Sequence, residues 1–473
     1  MINQHLEQQI KENFQYEPTF EQDLAIKTLS EFLLNSNSSG ICILRGYAGT
    51  GKTSLIGALV KTLEQLHQKA VLLAPTGRAA KVFSLYANHP AYTIHKKIYR
   101  QKSFSSDSTN FTLNENLHRH TLFLVDEASM ISNEGLSGNF FGSGRLLDDL
   151  IQYIYCGTGC RLLLIGDCAQ LPPVGETESP ALNNSILQGY GLETWEINLK
   201  QVMRQAEESG ILWNATRLRQ CMDTECLSTL PKIRLKGFAD IRLMPGNELI
   251  DGLASCYGKD GMDETIVICR SNKRANLYNN GIRNSILYRE DELNSGDKLM
   301  VAKNNYYWGK ENKEINFIAN GDIATIRRVR RTRDLYGFRF ADLCLSFTDY
   351  DNTEIETTVL LDTLHAEAPA LSRENSERLF QTILQDYADI GNAKERMKKL
   401  KEDPYYNALQ VKYAYAITCH KAQGGQWKHV FLDQGYLTDD MLTPDYFHWL
   451  YTAFTRATET LYLVNYPKEQ LEA

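Results

Sequence analysis

Gly46-Tyr-Ala-Gly-Thr-Gly-Lys-Thr53 carries a lysine and a hydroxyl at the end of a run of small residues, with the spacing G-x-x-x-x-G-K-[ST]. Glycines there let successive backbone N–H groups turn inward as a nest for polyphosphate, and a helix N-terminus behind them adds a positive dipole end. Gly46, Ala48, Gly49, Thr50, Gly51 and Ser54 are the candidate cradle. Lys52 would reach the β- and γ-phosphates, and Thr53 would ligate Mg²⁺. A chance glycine-rich turn has the same letters, but the flanks oppose it. Gly40–Leu44 is a short apolar run, and apolar residues recur at helical spacing from Thr53 to Leu66. Downstream, Thr121-Leu-Phe-Leu-Val-Asp-Glu-Ala-Ser129 is an apolar run ending in two carboxylates. Asp126 would hold the Mg²⁺ opposite Thr53, leaving Glu127 to orient or deprotonate the attacking water. An acidic pair at a strand end is often only a solvated loop; behind a phosphate loop it implies ATP hydrolysis.

Three further polar positions fit that chemistry. Gln170, beside Asp167 in Leu164–Val174, suits a sensor of the γ-phosphate. Arg204 in Leu199–Gln205 and Arg456 in Tyr451–Ala457 would stabilise transition-state charge from a second unit. A single arginine is usually a surface charge; two on a second α/β unit behind a phosphate loop shift the balance.

The elements that must position these residues alternate between strand and helix patterns, the mark of parallel sheets with flanking helices. Strand candidates are Ile41–Leu44, Ala70–Ala74, Leu122–Val125 and Arg161–Ile165, then Thr265–Cys269, Val430–Leu432 and Leu461–Val464. Between Cys269 and Val430, from about Gly296 to Thr363, the pattern is that of a small β barrel. A charged helical stretch, Ser372 to Lys401, follows it. With 473 residues the chain is expected to form several domains. The net charge of −7 excludes a global polyanion-binding surface, so a nucleic-acid partner needs a local groove. The ten cysteines include no C-x-x-C and no zinc spacing, which predicts reduced thiols and no metal cluster. No apolar run approaches membrane-spanning length and the N-terminus does not read as a signal peptide, so a cytoplasmic protein is expected.

These motifs together resemble the superfamily 1 helicases of the 5′→3′ (1B) branch, the group containing RecD and the phage helicase Dda. Gly46–Thr53 resembles motif I, Ala74–Ala80 motif Ia, Thr93–His95 motif Ib, and Asp126–Ser129 motif II. Gly166–Val174 resembles motif III, Val202–Gln205 motif IV, Tyr415–Gly424 motif V, and Tyr451–Ala457 motif VI. They stand in family order along nearly the whole chain. The resemblance implies a fold of two RecA-like P-loop NTPase lobes closing on ATP. The first lobe would take residues 1–195, with a strand-separating pin at about 96–120, for which Phe104 to Phe111 is the candidate. The second would take 196–295 and 406–473, with an SH3-like and helical insertion at 296–405.

Gln22 stands where the family reads adenine, and Gly424 joins the nucleotide contacts. Pro75, Thr76, Thr93 and His95 on the first lobe, and Thr418, His420 and Lys421 on the second, would hold single-stranded DNA phosphates. Hydroxyls, imidazoles and backbone N–H groups bind phosphate without high net charge, which suits an acidic chain. The basic run Arg327–Arg333 is as readily a solvated face as a DNA-backbone contact. Tyr306-Tyr-Trp308 is at least as readily core as a base-stacking platform. The implied activity is that of an ATP- and Mg²⁺-dependent 5′→3′ DNA translocase and helicase, acting as a monomer on duplexes with a 5′ tail and without a membrane partner. An RNA or RNA–DNA helicase of the same superfamily, or an ATPase that only switches a partner complex, are the alternatives.

Overall fold

The computed structural model describes residues 2–35, 40–101, 111–135, 142–203, 208–224, 229–310, 315, 317–438 and 441–472. Its strands are β1 (Gly40–Gly46), β2 (Lys69–Ala74), β3 (Ala91–Thr93), β4 (Tyr99–Gln101), β5 (Phe111–Leu113), β6 (Thr121–Val125), β7 (Arg161–Gly166) and β8 (Glu193–Leu199). They continue as β9 (Ile241–Met244), β10 (Thr265–Cys269), β11 (Lys298–Val301), β12 (Ile323–Leu335), β13 (Phe338–Phe347), β14 (Thr353–Leu360), β15 (Leu409–Tyr413), β16 (Ala416–Thr418), β17 (Trp427–Asp433) and β18 (Ala457–Val464).

Among the described residues, the first lobe is a six-stranded parallel sheet in the order β3-β2-β6-β7-β1-β8. Alternate side chains of each strand face opposite layers. Cys42 and Leu44 pack with Ile26, Leu29, Leu55 and Leu59 on one side, while Ile41 and Ile43 pack with Phe123, Leu150 and Ile154 on the other. Burial on both faces explains why these strands read as unbroken apolar runs. The second sheet, β16-β10-β17-β18-β9, is also parallel. One of its faces packs on Phe447 and Leu450 of the helix Pro444–Phe454.

Between β10 and β16 the chain builds a closed barrel, β11-β12-β13-β14-β15. Two expected boundaries move. β8 pairs along its length with β1, so the first sheet runs on to Leu199 rather than stopping at 195. β15, expected in the second lobe, pairs with both β11 and β14 and closes the barrel, because its apolar side chains Leu409 and Val411 face the barrel core. The candidate pin lies outside the described residues except at its base, where β4 and β5 pair antiparallel, Tyr99 with Leu113 and Gln101 with Phe111. No helix among the described residues is long and apolar enough to cross a membrane.

Candidate active site

The three polar loops that the sequence singled out in the first half leave the carboxyl ends of β1, β6 and β7, adjacent strands of one sheet. Ligands of open α/β sheets lie at that edge. After β1 the chain turns through Gly49 and Gly51, both at positive φ (+76° and +81°). Gly51 is the N-cap of the helix Lys52–Gln65 and no side chain caps it, so the first-turn N–H groups are presented to the loop's concave side. A Cβ on Gly51 would collide with the Gln22 amide. Lys52 Nζ donates to the carbonyls of Gly46 and, at 2.9 Å, Tyr47. Thr50 Oγ1 donates to the Tyr47 carbonyl, and Thr53 and Ser54 stand exposed at the start of the helix. Gln22 is buried beneath this loop. Its Nε2 donates to the Thr50 carbonyl at 3.0 Å, and its Oε1 accepts from Thr19 N–H, closing a capping box. The side chain expected to read adenine thus also holds the loop in shape.

After β6, Asp126 accepts from its neighbour Glu127 N–H at 2.8 Å and from Tyr86 Oη–H at 2.7 Å. Glu127 sits at φ +50°, a conformation a non-glycine residue adopts at a cost, and one that recurs at functional sites. Burial raises both carboxyls above the ordinary range; Tyr86, the Glu127 amide and Lys52 oppose this at Asp126, and Arg456 opposes it at Glu127. An all-oxygen set of Thr53 and Asp126 suits a hard divalent cation, whose charge would relieve that burial cost. After β7, Gln170 is 7% exposed and its Oε1 has no hydrogen-bond partner among the described residues. A buried amide oxygen without a partner calls for a hydrogen-bond donor, and the water that attacks the γ-phosphate is one. The residues present fit a nucleotide with its metal.

The second lobe closes this edge. Arg456, 3% exposed, is held by the carbonyls of Thr452 (3.0 Å) and Gly425 (3.3 Å) and by Thr455 Oγ1, and its Nη1 lies 3.9 Å from Glu127 Oε1. Tyr451 Oη accepts from Ala48 N–H and donates to Asp167 Oδ2. Thr452 Oγ1 accepts from Leu171 N–H, and Gln423 Nε2 donates to the Leu171 carbonyl. The Arg219 guanidinium lies 4.2 Å over the Tyr47 ring. Arg204 lies outside the described residues.

Comparisons with known proteins agree with this arrangement. Residues 27–230 match the family described as AAA domain, and residues 413–464 match the UvrD-like helicase C-terminal domain. The chain is 25% identical to the uncharacterised protein R530 of Acanthamoeba polyphaga mimivirus, covering 93% of this chain and 98% of that one. It is 24% identical to the ATP-dependent RecD2 DNA helicase of Deinococcus radiodurans over 89% of this chain, though it spans only 46% of that protein's length. It is 21% identical to the ATP-dependent DNA helicase Pif1 of Campylobacter jejuni, covering 88% of this chain and 86% of the relative. Both matched domains fall on the two lobes that meet at Arg456 and Glu127. The chain resembles the RecD/Pif1-like superfamily 1B helicases.

The remaining motif residues gather where motif V of the second lobe meets motif Ia of the first. Thr76 caps the helix Gly77–Ala87, accepting from Ala79 N–H, and Thr93 caps Ile94–Ile98 in the same way. Gly424, expected at the nucleotide, is at φ +71° with a would-be Cβ 2.9 Å from Ala79 Cβ and 3.3 Å from Thr76 Oγ1. It packs on motif Ia because only a residue without a side chain fits there. Thr418 caps nothing with its side chain, His420 is exposed, and Lys421 Nζ donates to Asn320 Oδ1.

One further expectation changes, and the two readings left open above gain partners. His95, expected at a DNA phosphate, is packed beside the Tyr99 and Phe317 rings, where burial lowers its pKa to about 4 and keeps it neutral. The basic run on β12 is paired across the barrel: Arg327 with Glu354, Arg330 with Glu356, and Arg331 and Arg333 with Asp342. Tyr306 packs on Phe111 and Phe317, and Trp308 Nε1 donates to the Asn407 carbonyl, so these aromatics serve packing. Tyr86 is a site residue that sequence reasoning missed. It lies 40 positions before its carboxylate, on a helix whose apolar pattern accounts for it without chemistry.

Proposed function

We propose that this chain is an ATP-dependent DNA helicase that moves 5′→3′ along single-stranded DNA. The observation that carries the reading is the approach of Arg456, from the second lobe, to Glu127 beside the phosphate loop of the first. A nucleotide in that loop touches both lobes, so its hydrolysis can open and close the cleft. Glu127 would take the proton of the attacking water, Gln170 would sense the γ-phosphate, and Arg456, with Arg204, would meet the charge that develops on it. Thr53 and Asp126 would hold Mg²⁺, which would supply charge neutralisation to the phosphates. Gln22 would contact the adenine from beneath the loop. Pro75, Thr76, Thr93, Thr418, His420 and Lys421 would hold backbone phosphates, and alternating grip by the two lobes would advance the strand.

Strand displacement tests the reading. A duplex with a 5′ single-stranded tail should be unwound in ATP and Mg²⁺, and the same duplex with a 3′ tail should not. Log K for single strands should fall linearly with log salt, with a slope of about −0.7 per phosphate contact. Unwinding from the 3′ tail alone contradicts the polarity. Equal activity on an RNA tracking strand favours an RNA helicase, and DNA-stimulated hydrolysis without unwinding favours a switch subunit.

Lys421 adds a pH signature. Burial lowers its pKa to about 8. A phosphate placed beside the ammonium raises that value, so binding takes up a proton and the contribution of Lys421 fades as pH rises past about 8. Single-strand affinity should therefore drop by up to about tenfold per pH unit between pH 8 and 9.5. Lys421→Arg, charged throughout, should remove the dependence in a fluorescence titration. An unchanged slope in that variant places Lys421 off the phosphate track.

A further inference from the structure

Tyr451, on the helix Pro444–Phe454, is 1% exposed, yet its hydroxyl is bonded on both sides to the opposite lobe. It accepts from Ala48 N–H in the phosphate loop at 2.8 Å and donates to Asp167 Oδ2 at 2.7 Å. The other oxygen of Asp167 accepts from Ala169 N–H at 2.9 Å, and the Asp167 carbonyl accepts from Gln170 N–H at 3.2 Å. Asp167 is thus the fold of the turn that presents Gln170. The neighbouring Thr452 takes Leu171 N–H at 2.8 Å from the same turn.

A phenol has one proton to give. With that proton on a buried carboxylate, its oxygen faces Ala48 only as an acceptor, and the bond to Asp167 is of the stronger, charge-assisted kind. The resulting chain, Ala48 N–H to Tyr451 Oη–H to Asp167, has a fixed direction. Its ends belong to the first lobe and its middle to the second, so it is complete only while the lobes are together.

We infer that Tyr451 is a positioning residue for ATP hydrolysis, an inter-lobe strut that sets the Gln170 turn against the phosphate loop when the cleft shuts. The inference rests on the ATPase reading above. Tyr451 touches neither Glu127 nor Arg456 by hydrogen bond, and its effect on the reacting atoms passes through Ala48 and Asp167.

Tyr451→Phe keeps the buried ring and deletes only the hydroxyl. DNA-stimulated kcat should fall about 10- to 100-fold, the loss of two buried bonds, one of them to a charge. KM for ATP and single-strand affinity should change by less than about threefold, because the strut forms mainly in the closed state. Asp167→Asn, which cannot accept at the atom it turns into a donor, should lower kcat as well. The double variant should be no slower than the slower single variant, since both break one chain. A Tyr451→Phe kcat within about twofold of the unsubstituted protein overturns the inference. So does a fall that merely follows loss of folded protein in thermal melts, or a double variant whose losses multiply. An unsubstituted protein with no DNA-stimulated ATPase instead removes the ATPase reading itself.

Discussion

Glu127→Gln is expected to lower the ATP turnover rate by about 10²–10⁴-fold while leaving nucleotide and single-strand binding close to unchanged. The amide preserves the side chain's shape at φ +50° and its place beside Arg456, but it cannot accept a proton from water. Retention of binding follows because the phosphate-loop N–H groups, Lys52 and the motif Ia and motif V residues are untouched. The pH profile gives an independent check. Burial raises the Glu127 carboxyl, the nearby Asp126 charge raises it further, and Arg456 and Lys52 pull it back. A base must be unprotonated to work, so the acid limb of kcat/KM should lie at higher pH than that of an ordinary glutamate, and residual Glu127→Gln activity should lack that limb. Steady-state phosphate release against pH, with equilibrium titrations of ATP and DNA, makes the measurement. Turnover at the unsubstituted rate would show that another group takes the proton.

Arg456→Ala carries the other large effect, a fall in kcat of about 10³–10⁵-fold, the range seen when a charge-stabilising arginine is supplied from across a cleft. Its guanidinium is fastened by Thr452, Thr455 and Gly425 and reaches the first lobe only at Glu127 among the ion pairs of the described residues. An interaction made mainly in the closed, reacting state lowers kcat far more than it weakens ground-state nucleotide binding. Arg456→Lys keeps the charge but not the planar fork, and should recover only part of the rate. Loss of the positive charge beside Glu127 should also move the acid limb of the rate profile to still higher pH. The side chain is buried and bonded to three backbone or hydroxyl groups, so rates are to be expressed per folded protein, with thermal melts as the control. Weaker ATP binding with kcat intact would contradict a transition-state role.

The nucleotide half of this site was legible in the chain alone because its chemistry is local. Gly46 to Thr53 must turn and start a helix within eight residues, and Asp126 and Glu127 must end a buried strand; both demands leave marks at fixed spacing. The two parallel sheets were legible for a related reason, since strands buried on both faces read as unbroken apolar runs. The basic stretch at Arg327–Arg333 read equally as a solvated face or a DNA-backbone contact, and only β13 and β14 set Asp342, Glu354 and Glu356 opposite it. His95 had the letters of a phosphate ligand, and Phe317, from another domain, made it a packing residue. Tyr86 carries no spacing signal, and Gln423, Tyr451 and Thr452, although inside motifs V and VI, carry none that names their partners. The Tyr451 hydroxyl and the Ala48 amide it binds are 403 residues apart, and the pairing exists only because two separately folded sheets close on one another. Local backbone demands leave a pattern in sequence; the identity of a partner across a cleft is decided by packing between distant segments, and no local pattern encodes it.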